Sequence, residues 1–255
     1  MFKELLSLSR KFGKHPRDES GGLMIRAGQP GFEAIGEEFR GYMEEFCGLT
    51  ASSRVLDVGC GYGRMALPLL HVLTPPGEYQ GFDVHQPAII GCQNDIEAKH
   101  PHFQFRHLPL KNPRYNPKGK LDPEKIVFPY EAEEFDIVIL CSVFTHMNPV
   151  TVQRYLAEIR RVLKPGGRCL ATVFLLNAHA FGAIDARRSK VAFEHAWGLC
   201  RTSDPELPET AVAQRESDFL SWVDAAGMAL AEPIQYGSWS ARETFLSFQD
   251  VVVLG

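Results

Sequence analysis

The stretch that decides the fold is RVLDVGCGYG at residues 54–63. It opens with a short run of β-branched and apolar residues, which predicts a strand, and stops at the glycines Gly59, Gly61 and Gly63. Residues 64–70 are mostly apolar and predict a helix. A strand that leads through a glycine-rich turn into a helix exposes bare backbone at the carboxyl edge of a sheet, where a ligand can lie close because no Cβ intervenes. Glycines also make tight turns for purely structural reasons, so the turn alone is weak support for a binding site.

Two acidic residues narrow the choice of ligand. Asp57 lies two residues before Gly59, where it would repel a diphosphate but attract an amino group or a sulfonium. Asp83 ends the next predicted strand, where a carboxylate can bind both hydroxyls of a ribose. The glycine spacing also differs from the GxGxxG of dinucleotide sites. The pattern therefore favours S-adenosylmethionine (SAM), which carries a ribose and a sulfonium but no phosphate.

Four motifs in order resemble those of the class I SAM-dependent methyltransferases. Residues 55–63 (VLDVGCGYG) resemble the first motif and residues 81–83 (GFD) the second. Residues 135–138 (FDIV) resemble the fourth-strand motif, and residues 163–167 (LKPGG) the turn before strand five. The resemblance covers about residues 27–175. It implies an enzyme with a Rossmann-like fold that transfers the methyl group of SAM.

The resemblance also implies which residues hold the cofactor. The glycine turn and Asp57 are expected near the methionine part of SAM, and Asp83 at its ribose. Many family members bind adenine through an acid after strand three, but residues 107–112 contain none. Adenine is then held by backbone groups and by apolar contacts from Leu108 and Leu110, or its contact lies elsewhere. The complete set of expected cofactor contacts is Asp57, Gly59, Cys60, Gly61, Gly63, Asp83, Val84, Leu108 and Cys141.

The order of predicted elements indicates an α/β fold. Strands alternate with helices, which predicts a doubly wound, mostly parallel sheet of seven strands with helices on both faces. Residues 229–236 and 244–254 would supply the last two strands, the final one antiparallel. We expect residues 1–26 to form an N-terminal helix and mobile segment, and residues 27–255 to form the SAM-binding domain. Residues 176–215 have weak periodicity, which favours a lid or substrate-covering insertion.

The candidate catalytic residues follow the fourth strand. Methyl transfer from a sulfonium needs a general base only if the acceptor is a poorly ionised hydroxyl or a protonated amine. His146 could act as that base and Thr145 could bind the acceptor, although a histidine here that only contacts backbone is the favoured interpretation. Five aromatic residues are candidates for the acceptor pocket, with burial in the core as the alternative. They are Phe32, His195, Trp197, Tyr236 and Trp239.

Composition limits the partners. The 255 residues carry a formal net charge of −4, which argues weakly against nucleic acid. No stretch approaches the roughly 20 apolar residues that span a bilayer, and the first residues do not resemble a signal peptide. The six cysteines are scattered and the histidines lack partner ligands, so we expect reduced thiols, no metal site and a cytoplasmic location. The oligomeric state is not indicated.

Three functions remain in competition. The leading hypothesis is methyl transfer from SAM to a small-molecule or glycan-type acceptor. An NAD(P)-dependent oxidoreductase is disfavoured by Asp57, and a non-catalytic domain that binds SAM or a partner remains open. Methylation of nucleic acid is the less favoured enzyme reading, because CSVF at residues 141–144 lacks the Asn/Asp-Pro-Pro-aromatic sequence of many base-amine methyltransferases.

Overall fold

The computed structural model describes residues 31–255, so the expected N-terminal segment 1–26 lies outside the described residues. The helices are α1 (Phe32–Cys47), α2 (Ala66–Leu69), α3 (Gln86–Cys92, continued by a π-helical turn at Gln93–Glu97), α4 (Pro149–Val162), α5 (Ala178–Asp185) and α6 (Glu216–Ala225). The strands are β1 (Arg54–Val58), β2 (Glu78–Asp83), β3 (Phe103–His107), β4 (Phe135–Leu140), β5 (Leu163–Val173), β6 (Leu175–Leu176), β7 (His195–Trp197), β8 (Cys200–Thr202), β9 (Val212–Arg215) and β10 (Asp250–Leu254).

The main sheet has the order β10-β5-β4-β1-β2-β3. All neighbours are parallel except β10, which pairs antiparallel with β5. The order reverses where β1 lies between β2 and β4, and in such sheets a crevice opens at the carboxyl ends of the strands at this point. The expected α/β fold with an antiparallel last strand is thereby confirmed.

The side chains of β1 point alternately to the two faces of the main sheet, and both faces are buried. Leu56 and Val58 belong to one buried cluster, together with α4 and α6. Val55 belongs to a second cluster on the opposite face, which includes Met43 of α1. Successive strand residues point to opposite faces, so a strand with both faces covered is apolar throughout. Each fully buried side chain of this kind contributes about 1.5–3 kcal/mol.

The main sheet has six strands instead of the expected seven. Residues 229–236 do run beside β10, but they form only two isolated antiparallel bridges, Leu230 with Leu254 and Gln235 with Val251. Pro233 lies between the bridges, and proline has no N–H to donate to a sheet. The interrupted hydrogen bonding explains the missing strand.

Residues 176–215 fold as part of a second layer. Strands β6-β9-β8-β7 form a four-stranded sheet, and a third buried cluster around Phe174, Phe193 and Trp239 joins it to α5. The buried Asp250 of β10 accepts hydrogen bonds from Leu175 N (2.7 Å) and Trp239 Nε1 (2.9 Å), which ties this layer to the main sheet. The hydrophobic periodicity of residues 176–215 is weak because the strands in this segment are short. Among residues 31–255, no helix combines the length and apolar character needed to cross a bilayer.

Candidate active site

A cavity of about 540 Å³ opens at the carboxyl ends of β1, β2 and β4. At one end it is lined by the glycine turn and Asp83, and at the other by His146 and the start of α4. Residues 110–124, which connect β3 to β4, form a side wall. Its volume lies in the range of about 300–1,000 Å³ typical of small-ligand sites.

The glycine turn presents backbone to this cavity. Gly59 has φ of +77°, and a Cβ there would lie 2.6 Å from Val143 Cγ2, so no larger residue fits. Gly61 has φ of +52°, and a Cβ there would meet nothing within 4 Å because this side of the backbone is open. The turn is held against β2 by hydrogen bonds from Gly59 N and Cys60 N to Phe82 O (2.8 and 3.0 Å). This arrangement is a cradle that a side chain would fill.

Asp83 joins the glycine turn to the following helix. Its Oδ2 accepts from Gly61 N (2.8 Å) and its Oδ1 from His85 N (2.7 Å). Burial raises the pKa of this carboxyl above its usual value, and backbone hydrogen bonds from His85, Gly61 and Val84 oppose the shift. A carboxylate offers about four acceptor positions, so it can still accept from a ligand in the cavity. The position fits a pair of neighbouring hydroxyls such as those of a ribose.

Asp57 lies beneath the turn instead of facing the cavity. It is 1% exposed and accepts a hydrogen bond from the hydroxyl of Tyr79 (2.6 Å). Burial raises its pKa to about 7, against the lowering effects of the Tyr79 hydrogen bond and of the Arg64 charge. The side chain therefore does not contact the cavity directly, and its negative charge lies beneath the glycine turn near Arg64, which lines the cavity.

Asp57→Asn should stabilise the protein above neutral pH. A carboxyl whose pKa is raised to about 7 in the folded state contributes fully to stability below its unfolded pKa near 3.8, and loses that contribution as the pH rises through 7. Asparagine keeps an oxygen for Tyr79 and does not ionise, so we expect a higher melting temperature at pH 8, by about 2–4 °C per kcal/mol gained. The gain should shrink at pH 6, as measured by thermal unfolding of both proteins.

The control for this experiment is Asp95→Asn, because Asp95 is an exposed acid in the π-helical turn. It should leave the pH dependence of stability unchanged. An Asp57→Asn protein that is less stable than the native protein at pH 8 would show that the charge of Asp57 is needed for folding.

His146 lines the cavity on a 3₁₀ turn, Phe144–His146, after β4. Its Nδ1 lies 2.8 Å from the backbone oxygen of Glu209. A carbonyl oxygen only accepts, so Nδ1 carries the proton and Nε2 is the acceptor nitrogen of the neutral ring. Burial lowers the pKa of His146, with the Glu209 hydrogen bond opposing the shift. The ring is thus neutral at physiological pH, the state that a general base requires.

Two neighbours hold this turn and its ring. The Tyr115 ring meets the His146 ring edge to face, with centroids 5.9 Å apart. The buried Gln214 of β9 donates from Nε2 to the backbone oxygen of Met147 (2.9 Å). Thr145, by contrast, is 1% exposed and does not line the cavity, so the structure does not bring it to an acceptor there.

The other expected cofactor contacts divide into two groups. Cys60 and Val84 line the cavity, as does the expected acceptor contact Phe32. Gly63, Leu108 and Cys141 do not. Gly63 packs instead against Ile96 and Cys92, Leu110 takes the place of Leu108 on the wall, and Cys141 lines a smaller cavity nearby.

The remaining aromatic candidates lie away from the cavity. Trp239 is fully buried in the third cluster, where its indole N–H is bound to Asp250. The Tyr236 hydroxyl bonds Glu216 (3.1 Å) and its ring stacks under the Arg242 guanidinium. His195 and Trp197 lie on β7, at the edge of the second sheet. None of the four lines the main cavity, because the second layer turns them toward its own core or outer edge.

Sequence reasoning missed most of the wall opposite the glycine turn. Residues 111–124 supply Lys111, Tyr115 and Glu124 to the cavity, and the second layer supplies Glu209. The segment has no periodicity, and its fold depends on local turns such as that capped by Asn112, whose Oδ1 accepts from Tyr115 N (2.8 Å). The sequence signal that could have indicated this wall is the Pro- and Asn-rich insertion that follows β3, at the carboxyl edge of the sheet.

Sequence relatives are methyltransferases. A family profile described as a methyltransferase domain matches residues 55–167. The tRNA N(3)-cytidine methyltransferase METTL2 of Gallus gallus is 32% identical over 129 residues, which cover 50% of this chain and 32% of that protein. Phthiotriol/phenolphthiotriol dimycocerosates methyltransferase 1 of Mycobacterium ulcerans is 33% identical over 122 residues, or 48% of this chain and 38% of that protein. The chain spans about a third of the length of these relatives.

Solved structures share the fold. The PH0226 protein of Pyrococcus horikoshii has a TM-score of 0.60 at 13% identity, with 98% of both chains covered. The 1,6-didemethyltoxoflavin-N1-methyltransferase of Burkholderia thailandensis, crystallised with 1,6-didemethyltoxoflavin and S-adenosylhomocysteine, has a TM-score of 0.53 at 15% identity, covering 87% of this chain and 77% of that one. At such identities the likeness shows the fold alone.

Proposed function

We propose that this chain is a class I SAM-dependent methyltransferase, and that it transfers a methyl group from SAM to a small-molecule acceptor held in the 540 Å³ cavity. The observation that carries the proposal is the continuity of this cavity. It runs from the glycine turn and Asp83 to His146, and so offers one space to both reactants.

The residues at the glycine turn fit SAM. Gly61 leaves an open backbone surface, and the Asp83 carboxylate, which lines the cavity, can accept from the ribose hydroxyls. Val84 and Leu110 offer apolar surface to adenine, in place of the acid that many family members use. When bound, SAM supplies a methyl group already activated by its positive sulfonium. The chain then has mainly to align the acceptor, which by itself contributes about 7–11 kcal/mol to catalysis.

The far end of the cavity has room for an acceptor. Tyr115 and Pro113 of the insertion line it together with Met147 and Tyr155, so an acceptor there would contact both the insertion and the residues that follow β4. With Nδ1 bound to Glu209 O, the neutral His146 has Nε2 as its basic nitrogen, which can take a proton from a hydroxyl or an amine as the methyl group is transferred.

RNA is the second candidate acceptor. The expectation that nucleic acid is unlikely rested on net charge, and the resemblance to tRNA cytidine methyltransferases removes its support. The insertion that walls the cavity also carries four basic residues within ten positions. They are Lys111, Arg114, Lys118 and Lys120. Such a cluster beside an active site favours phosphate contacts.

A transfer assay separates the two acceptors. With SAM labelled in its methyl group, we expect the purified protein to label a small-molecule cell extract and to leave total tRNA unlabelled, because the cavity has the volume of a small-ligand site. Scintillation counting of the separated fractions measures this. Label in tRNA would overturn the small-molecule proposal in favour of RNA. Binding of SAM without label in either fraction would favour the non-catalytic domain.

A further inference from the structure

We propose that the methyl acceptor is an amine, bound as its ammonium ion by the carboxylates of Glu124 and Glu209 at the far end of the cavity. This assignment rests on the proposed function, because it names the substrate class for the same site. An ammonium ion carries a positive charge and N–H donors but no electron pair. It therefore needs both negative partners and a base before it can take a methyl group.

Two acids contact the segment that carries the base. The backbone oxygen of Glu209 lies 2.8 Å from His146 Nδ1. Glu124 Oε1 accepts a hydrogen bond from Asn148 Nδ2 (3.1 Å), two residues after His146. Both acids line the cavity. Their side chains thus come from two separate segments, the insertion and the second layer, and meet the cavity where His146 does.

The acids at this end outnumber the bases. Asp122 also lines the cavity, although its carboxylate pairs with the exposed Lys125 (3.5 Å) and so adds little. Residues 110–124 contribute one cation to the lining, Lys111. The other basic residues of the insertion lie outside the lining, and they are Arg114, Lys118 and Lys120. A cationic acceptor therefore finds a favourable field here, and an anionic acceptor an unfavourable one.

Tyr155 provides an independent sign of a polar ligand. Its side chain lines the cavity and is 3% exposed, and within residues 31–255 no group hydrogen-bonds its hydroxyl. A buried hydroxyl without a partner costs free energy, so such groups normally meet water or a ligand. Burial raises the pKa of Tyr155, which keeps the hydroxyl protonated. Its oxygen can accept from an N–H of an ammonium ion, and its ring attracts a cation.

His146 supplies the step that an amine requires. Its neutral ring takes one proton from the ammonium ion at Nε2, which releases the electron pair of the acceptor nitrogen. That pair forms the new N–C bond as the bond between carbon and sulfur breaks, and the electrons of the broken bond stay on sulfur. The methylated amine leaves with the positive charge, and His146 passes its proton to solvent.

The test uses three probes that differ in their terminal group. They are 2-phenylethylamine, 2-phenylethanol and phenylacetate, whose ring suits the apolar surface of Pro113, Tyr115 and Met147. Dissociation constants are measured by NMR titration at neutral pH, with the protein saturated with S-adenosylhomocysteine (SAH). We expect the amine to bind about 10-fold more tightly than the alcohol, and phenylacetate to bind most weakly.

Substitutions of glutamate by glutamine locate the effect. The double variant Glu124→Gln/Glu209→Gln keeps the shape of both side chains but removes their charges, so the amine should bind no better than the alcohol. Glu124→Gln alone should lose part of the preference, and serves if the double variant does not fold. Glu206→Gln is the matched control, because Glu206 is exposed in the same loop as Glu209 and lies outside the cavity lining. It should keep the preference.

Four results would overturn the amine assignment. They are tighter binding of the alcohol or the acid, equal binding of all three probes, binding of none, and a preference that survives in the double variant. A native protein that does not bind SAH would instead overturn the proposed function.

Discussion

Asp83→Ala should remove most of the thermal stabilisation that SAH gives the protein. The carboxylate accepts hydrogen bonds from Gly61 N and His85 N, and in the proposed site it also accepts from the ribose hydroxyls. Because alanine would remove both the backbone hydrogen bonds and the ribose contact, we expect the affinity for S-adenosylhomocysteine (SAH) to fall about 100-fold. At a ligand concentration of 100 times the native dissociation constant, the stabilisation would drop from about 2.7 to about 0.4 kcal/mol. Thermal shift with and without SAH measures this directly.

Two variants separate ligand contact from loop geometry. Asp83→Asn keeps one oxygen for a backbone N–H but loses an acceptor and the charge, so it should weaken SAH less than alanine does. Asp95→Ala removes an exposed acid on the adjoining helical segment and should leave the shift intact. An Asp83→Ala protein that SAH still stabilises like the native protein would contradict the assignment of the ribose site.

The end of the cavity proposed for the cofactor follows from local geometry. A strand, a glycine turn and the acid that ends the next strand occupy fixed places in a parallel sheet, so Gly59, Gly61 and Asp83 line the cavity, and their contact with the cofactor stays a prediction. Asp57 shows the limit of this reasoning. Asp57 lies two residues after Val55 on β1, so both side chains point to the face of the sheet that α1 covers, where Asp57 contacts Tyr79. The alternation of side chains along β1 predicts this direction, whereas the sequence motif suggested a charge interaction with the cofactor.

The acceptor end depends on contacts that no local pattern encodes. The hydrogen bond between His146 and Glu209 joins residues 63 positions apart in the sequence, and the bond between Gln214 and Met147 joins residues 67 positions apart. Both partners come from the second layer, whose short strands have too few residues to show periodicity. Aromatic residues were therefore assigned to the pocket from composition. Trp239 fills the third cluster instead, while Tyr115 of the insertion faces His146.

His146→Ala should lower turnover by about 100–10,000-fold, the usual contribution of a general base. SAH affinity should stay within about twofold of the native value, because His146 lies at the end of the cavity away from Asp83. Since burial lowers the pKa of His146 below 6.5, native turnover should rise with pH through that lowered pKa and then level off. The measurements are initial rates with the acceptor identified in the transfer assay, and calorimetry with SAH.

A second measurement tests the base without any acceptor. The hydrogen bond to Glu209 O predicts that the neutral ring carries its proton on Nδ1, which ¹⁵N chemical shifts of the histidine side chains report directly. His179→Ala is the matched control, because His179 is exposed on α5 and its Nε2 contacts Ser240 O (3.1 Å). Added imidazole should restore part of the turnover of His146→Ala, since it supplies the missing base. If His146→Ala keeps native turnover, or if the proton lies on Nε2, then His146 only holds the turn and the acceptor must reach the methyl group already deprotonated.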